Sequence, residues 1–435
     1  MSTLADFGDL LEHAPDELPR GGRAGRVALV VFLVLMLLTL GGGGGYVWWA
    51  SAAPLPAPTV TSQAPAANAG GAASLVLPSG GSMLVSVEGG QDYLGPDAAG
   101  TFASAGGDDP RPLASISKLI TALVVLDAHP LDGPGDPGPT IAYTEADTDL
   151  YDQFYVQGAV IARMPDGLRL SLHDSLETML LPSAANYAVA IARWGFGSES
   201  AYVQAARSWL SENGLNDTRI VDATGIDARN TSTPSDLLAL GRLAAANPVI
   251  AAIVATPSAV IEGPGVITNT NDLIGTLGIS GLKTGNLGEG TFNLLFTASL
   301  DVGIGAPLRV TGARLGGETH DSTDQDVLSF LQSVKDGFHV LPLGTAGDEI
   351  GTISTPWGAD ATLVLAKNAS LRTWSDTPVA VALDTTTPQS FADGEVVGTV
   401  TWTAGPETAT SSVKIAGAIE EPSLWWRLTH PALLG

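Results

Sequence analysis

Residues 27–40 are apolar without a break except at Thr39, a run too long and too uniformly apolar to be one face of a surface helix. Five glycines follow, Gly41 to Gly45, and then Tyr46, Val47, Trp48, Trp49 and Ala50. As a helix, 27–50 measures roughly 36 Å, enough for the ~30 Å hydrocarbon core of a bilayer. The aromatic pair falls at one interface, where amphipathic rings are favoured, and Arg20, Arg23 and Arg26 flank the other. An excess of Lys/Arg marks the cytoplasmic side, so 1–26 is a cytoplasmic leader and 27–50 a transmembrane anchor. A cleaved signal peptide competes with this reading, because Ala50, Ser51 and Ala52 are the small residues a cleavage site uses. The partly acidic leader before Arg20 and the Trp pair favour an uncleaved anchor. The expected location is the cell membrane, single-pass, with the bulk of the chain extracytoplasmic.

The exported part is long enough for two cores, since the chain has 435 residues. Residues 51–73 are rich in Ala, Pro and Thr and lack periodicity, which predicts a flexible linker. A strand is expected at 83–87. Helices are expected at 113–129, 172–194, 199–213 and 234–247, with further strands at 294–302 and 308–313. Ser232-Thr233-Pro234-Ser235-Asp236 is a good helix start, with proline in the first turn. Helices enclosed by an early strand and late strands predict an α/β (α+β) domain at 74–338, with a mainly antiparallel sheet. From 339 to 421 the chain turns Thr/Val-rich, with short alternating runs broken by turns, the pattern of a small β-sandwich. A tail at 422–435 carries Trp425 and Trp426, read either as a membrane-surface element or as a segment docked on the β-domain.

A formal net charge of −25 argues against nucleic acid as a partner, because phosphate binding needs clustered Lys/Arg. The chain has no cysteine, which removes disulfides, thiolate catalysis and Cys-based metal sites. No two of the six histidines lie at a metal-ligand spacing, so neither a metal nor another cofactor is expected.

Only five lysines are present: Lys118, Lys283, Lys335, Lys367 and Lys414. Lys118 closes Ser115-Ile116-Ser117-Lys118 at the head of an apolar helical run. Residues three apart on a helix share a face. A serine hydroxyl is a weak nucleophile until a base takes its proton. A lysine can be that base if burial or a second cation depresses its pKa. Ile116, Leu119, Ile120 and Leu123 supply the apolar surroundings, and Lys283 would supply the second charge. The pattern recurs at Ser411-Ser412-Val413-Lys414, in a strand-like run with no partner motif after it, where chance is the better reading. Lys283-Thr284-Gly285 precedes a strand. An edge strand with Lys and Thr can hold an extended substrate and its carboxylate, and glycine permits close backbone approach.

Together these segments resemble the serine-type D-alanyl-D-alanine carboxypeptidases, the peptidase S11 or low-molecular-mass penicillin-binding proteins, which share S-x-x-K and K-T-G signatures. The flanking residues agree: Pro112 to Leu119, Met179 to Ala184, Asp222 to Ile226, Asn269-Thr270-Asn271 and Gly394 to Gly398. The resemblance spans about 74–420 and implies a penicillin-binding-protein/β-lactamase-like transpeptidase fold. It implies Ser115 as nucleophile, Lys118 as base and Ser183 as proton relay. Lys283, Thr284 and Gly285 would form the carboxylate site, with the backbone N–H of Ser115 and Asn286 as oxyanion donors. The partners implied are peptidoglycan stem peptides and β-lactam antibiotics. The family's Ser-x-Asn motif reads Ser183-Ala184-Ala185 here, with Asn186 one place late as a candidate substitute. That departure leaves open a non-catalytic peptidoglycan-binding protein of the same fold. A β-lactamase shares both lysine motifs but has no clear deacylation glutamate here.

Overall fold

The computed structural model describes residues 23–435, so the leader before Arg23 lies outside the described residues. The apolar run forms one helix, Arg23–Ala52, that takes in the five glycines and is long and apolar enough to cross a membrane. Glycine is tolerated in such helices more readily than in soluble ones.

A five-stranded antiparallel sheet organises the centre of the chain, in the order Ile279–Gly285, Phe292–Leu300, Leu308–Gly317, Ser82–Glu88, Ala103–Ala105. The strand Phe292–Leu300 shows why both faces are covered. Leu294, Phe296 and Ala298 point into a core shared with Val327, Phe330, Leu331 and Val334 of the helix His320–Asp336. Leu295, on the opposite face, joins the helical core with Leu237 and Leu240 of the helix Pro234–Ala246. Apolar residues at successive positions face opposite ways in a strand, so one segment packs two layers.

The helix Ser117–Ala128 runs through the helical core, and every residue from Ser117 to Leu126 is buried. A helix apolar on all sides can only be placed at a centre. It is preceded by a 3-10 turn, Ala114–Ile116, which puts Ser115 at the surface of a cleft. The expected helix 172–194 is two helices, Leu172–Leu180 and Ala185–Phe196. Pro182 has no N–H with which to continue the helical bonds, and Ser183 takes a left-handed conformation with φ 71°.

The C-terminal β-rich region pairs a six-stranded antiparallel sheet with the two-stranded Phe338–Gly344/Ala369–Trp374. Between them lie Leu343, Ile353, Leu365, Leu371, Val400, Trp402 and Ile415. Residues 51–73 differ from a flexible linker. Thr59–Ser62 is an edge strand of the six-stranded sheet, paired with Glu349–Ser354, and Val60 packs on that core. Further along, Ala73 donates to Ser375 Oγ at 3.0 Å and Val76 to Ser333 Oγ at 3.0 Å. The β-branched trio Thr59-Val60-Thr61 suits a half-buried pleat, and the sheet edge supplies the partner.

That pairing requires Gly351, where an added Cβ would lie 2.1 Å from the carbonyl oxygen of Thr61. Gly351→Ala is expected to detach the edge strand while leaving the central sheet intact. Hydrogen exchange should show lost protection at 60–63 and unchanged protection at 292–300; equal protection in both variants contradicts the pairing.

Candidate active site

The cleft of about 570 Å³ at the end of the central sheet is lined by Ser115, Lys118, Ser183, Ala185, Thr270, Thr284, Gly285, Asn286 and His320, among others. Three walls meet there: the turn before the buried helix, the break between the two helices at 181–184, and the edge strand Ile279–Gly285.

On the first wall, Lys118 Nζ donates to Ser115 Oγ at 3.0 Å and to the Thr224 carbonyl at 2.8 Å. The side chain is 1% exposed. Burial lowers its pKa from the ordinary lysine range to about 7, against a smaller opposing pull from Asp222. Asp222 also shapes the loop that faces Lys118. Its carboxylate accepts from the N–H groups of Thr224, Gly225 and Asp227, which aims the Thr224 carbonyl at the ammonium. The expectation that Lys283 would depress Lys118 is therefore revised, since desolvation does it. Lys283 is itself pushed well below the lysine range, by burial first and by the charge of Lys118 second.

The second wall carries Ser183. Its hydroxyl is buried, has no hydrogen-bond partner and borders the cleft. A serine in left-handed backbone with an unused hydroxyl is stored strain beside a nucleophile. The next side chain at the cleft is the methyl of Ala185. Asn186 does not take its place. Its amide turns inward, donating to the Ala162 carbonyl at 2.8 Å and accepting from the Ala162 N–H at 3.1 Å. One step along a helix rotates a side chain by about 100°, which here turns it from cleft to interior. Asn186 is thus a buried brace for the 160–162 segment, and its candidacy as a substrate-binding group is withdrawn.

The third wall is the edge strand. Lys283 Nζ donates to Thr270 Oγ1 and to the Thr284 carbonyl, both at 3.2 Å. The Thr270 and Thr284 hydroxyls lie 2.6 Å apart and both border the cleft. Gly285 passes so near the nucleophile's turn that a Cβ there would lie 2.8 Å from the Leu113 carbonyl oxygen and 3.0 Å from Ser115 N. Asn286 follows at the cleft rim. The second S-x-x-K match lies far from this arrangement, inside the strand Glu407–Ala416.

Two residues that the motifs did not signal complete the site. Asn293 donates to the carbonyls of Pro112, at 2.9 Å, and Leu113, at 3.4 Å, and accepts from Gly316 N–H at 2.9 Å. It ties the sheet to the turn that presents Ser115. His320, the first residue of its helix, donates from Nε2 to the Thr270 carbonyl at 3.3 Å and faces Asp324 through Nδ1 at 3.2 Å. It borders the cleft on the side of Thr270 and Thr284. Among the described residues, the groups close enough to share a metal are His173, Asp174 and Glu177, none of which lines this cleft.

A buried amine with a pKa lowered to about 7 and bonded to a serine hydroxyl, facing an array of hydroxyls and lysine on an edge strand, can activate an oxygen nucleophile toward a carbonyl whose neighbour is anionic. Residues 100–307 match the family model described as D-alanyl-D-alanine carboxypeptidase, peptidase S11. The chain is 34% identical over 131 residues to a D-alanyl-D-alanine endopeptidase of Escherichia coli K12, covering 30% of this chain and 38% of that protein. It is 26% identical over 251 residues to the D-alanyl-D-alanine carboxypeptidase DacD of Salmonella typhimurium LT2, covering 56% of this chain and 61% of the relative. The chain thus spans between 38% and 61% of the length of these two curated relatives. In fold it is similar to penicillin-binding protein 6B of Escherichia coli, with a TM-score of 0.52 and 19% identity over 80% of this chain and 94% of that one. It is likewise similar to penicillin-binding protein 5 of Haemophilus influenzae, with a TM-score of 0.50 and 16% identity over 80% of this chain and 98% of that one.

The buried amine has a consequence for stability. Between about 7 and the ordinary lysine value, the unfolded chain binds a proton at Lys118 that the folded chain does not. Stability therefore rises with pH across that window, and the penalty is full below it. In Lys118→Met the rise from this site is absent. Denaturant unfolding at pH 7 and 9.5 should show the wild type gaining on the order of 3 kcal/mol relative to the variant. A pH-independent difference between the two contradicts a depressed Lys118.

Proposed function

Because the chain belongs, through residues 100–307, to the peptidase S11 family of D-alanyl-D-alanine carboxypeptidases, we propose that it removes the terminal D-alanine of peptidoglycan stem peptides through an acyl-enzyme at Ser115. The observation that carries this reading is the 3.0 Å contact between Ser115 Oγ and an amine whose pKa burial lowers to about 7.

In the proposed reaction the terminal carboxylate lies against Thr284, Thr270 and Lys283, where two hydroxyls and the lysine N–H groups supply donors. Ser115 Oγ attacks the carbonyl carbon of the penultimate residue, and its proton passes to Lys118 Nζ as the O–C bond forms. The developing oxyanion accepts from the N–H groups of Ser115 and Asn286; one such donor is typically worth ~10²–10³ in rate. The C–N bond then breaks. The proton returns to the departing amine, with Ser183 Oγ, free of other partners, as the relay. D-alanine leaves, and water activated by Lys118 hydrolyses the ester. A β-lactam enters the same path, but its leaving amine stays tethered and the ester persists. Asn293, which ties the nucleophile's turn to the sheet, and His320, which bonds the Thr270 backbone, act as positioning residues. The helix Arg23–Ala52 would anchor this machinery as a single membrane span with the cleft outside the cytoplasm.

The methyl of Ala185 at the cleft supports a second reading, a non-catalytic protein of the same fold that binds stem peptides without cleaving them. The two part on product: D-alanine release abolished by Ser115→Ala belongs to the enzyme, and stem-peptide binding without release belongs to the scaffold.

A fluorescent penicillin is expected to label the wild type on Ser115, located by peptide mass mapping, and to leave Ser115→Ala unlabelled. The labelling rate should climb as pH passes through about 7, because the base is the neutral amine. Lys118→Ala should label ~10²–10⁴-fold more slowly. Folded wild-type protein without an adduct contradicts the proposal.

A further inference from the structure

The outer end of the long N-terminal helix is clasped by the far end of the chain. Tyr46 Oη donates to the Leu428 carbonyl at 2.6 Å. Arg427 Nη1 reaches the carbonyls of Ala50, Ser51 and Ala53, at 3.4, 3.3 and 3.0 Å. These are the carbonyls that a helix C-terminus leaves without partners, at the negative end of its dipole, so a guanidinium is a fitting cap. Arg427 belongs to the short helix Leu424–Thr429, whose first turn is capped by Ser423 Oγ accepting from the Trp426 N–H. Ala50, Ala53 and Leu434 form a small buried cluster, packed by Leu55, Trp426 and Leu428.

The clasp continues into the β-rich region. Trp426 meets Trp357 edge to face at 6.1 Å and stacks on His430 at 4.7 Å. Trp357 in turn donates from Nε1 to the Glu420 carbonyl at 2.8 Å. The helix end, the tail and the β-sheets are thus joined by hydrogen bonds and ring contacts rather than by a loose tether, and the strand Thr59–Ser62 closes the same connection from the other side.

What this unit leaves facing outward is apolar and aromatic. Trp48 is 73% exposed and Trp425 74%, and Leu424, Leu433, Trp49 and Tyr46 of the same two segments are exposed as well. The patch offers little cationic surface: the Arg427 side chain is 12% exposed and already committed to carbonyls. Amphipathic rings without free cations fit the uncharged boundary between headgroups and acyl chains better than a polyanionic partner. The patch is also continuous with the one helix, among the described residues, long and apolar enough to cross a bilayer.

We propose that the tail 422–435 and the last turns of the N-terminal helix form one interfacial collar, seated in the headgroup–acyl boundary of the bilayer that the helix spans. The proposal rests on reading that helix as a retained anchor. Trp425 and Trp48 lie at one depth, and the clasp fixes the height of the β-rich region above the membrane. The tail then has no separate anchoring role; it is held by Arg427 and Tyr46, and lipid completes its exposed side.

The absence of cysteine makes a direct test simple. Full-length Trp48→Cys, Trp425→Cys and Glu289→Cys proteins, the last in the exposed turn 286–290, are spin-labelled in phosphatidylcholine nanodiscs. Collisions with oxygen and with a water-soluble nickel chelate then report depth. The expected result is that labels at 48 and 425 are both shielded from the chelate, whereas the label at 289 is not. Adding Arg427→Ala to Trp425→Cys should abolish the shielding at 425 and leave that at 48 unchanged. A shielded label at 48 with one at 425 as accessible as at 289 overturns the collar alone. A label at 48 in water overturns the anchor reading and the collar together. Shielding at 425 that survives Arg427→Ala overturns the clasp as its cause.

Discussion

The structure turns on one desolvated lysine amine. Lys118 lies in a helix buried from Ser117 to Leu126, and its Nζ meets Ser115 Oγ at the wall of the cleft. Burying a charge without full pairing is costly, and the group responds by giving up its proton near neutrality. The neighbouring Thr224 carbonyl and Ser115 hydroxyl are what a neutral or singly donating amine can use. The Asp222 carboxylate holds the loop that presents that carbonyl, by accepting from the Thr224 and Gly225 N–H groups. The rest of the site is arranged around this group. The edge strand brings Gly285 against the nucleophile's turn, and Asn293 holds that turn to the sheet. Lys283 shares the burial and bears the repulsion.

Much of this was legible in the amino-acid sequence because it depends on short-range spacing. A serine and a lysine three apart on an apolar helix share a face wherever that helix sits, and a Lys-Thr-Gly beside a long strand reads as a sheet edge. What escaped depends on contacts between distant segments. His320 is a lone histidine with no motif, and its meaning comes from Thr270, fifty residues away in sequence. Asn293 looks like any strand asparagine until Pro112 and Leu113 are placed against it. The Thr59–Ser62 strand is too short to announce itself and exists because an open sheet edge receives it. The break at 181–184 did have a signal, Pro182, but the apolar periodicity on either side outweighed it.

Ala185 and Asn186 show how one residue of register divides a binding group from a brace. Both begin the same helix. The first presents a methyl to the cleft, and the second spends both ends of its amide on the backbone of Ala162. The 160–162 segment that Asn186 holds is itself part of the cleft wall, since Val160 borders it and accepts from the Ala185 N–H at 2.8 Å. Asn186 therefore shapes the cavity from behind. The chemistry proposed for the cleft falls on Ser115, Lys118, Ser183 and the Lys283–Thr284 strand.

The central claim is that burial lowers the pKa of Lys118 to about 7, so that the neutral amine is well populated near physiological pH. With only five lysines in the chain, their ammonium resonances can be assigned by single substitutions and followed by NMR as pH is varied. The account requires Lys118 to titrate near 7, while Lys335, Lys367 and Lys414 serve as reference resonances in the same spectra. A Lys118 that stays protonated up to the ordinary lysine range would contradict it and leave Ser115 without its base.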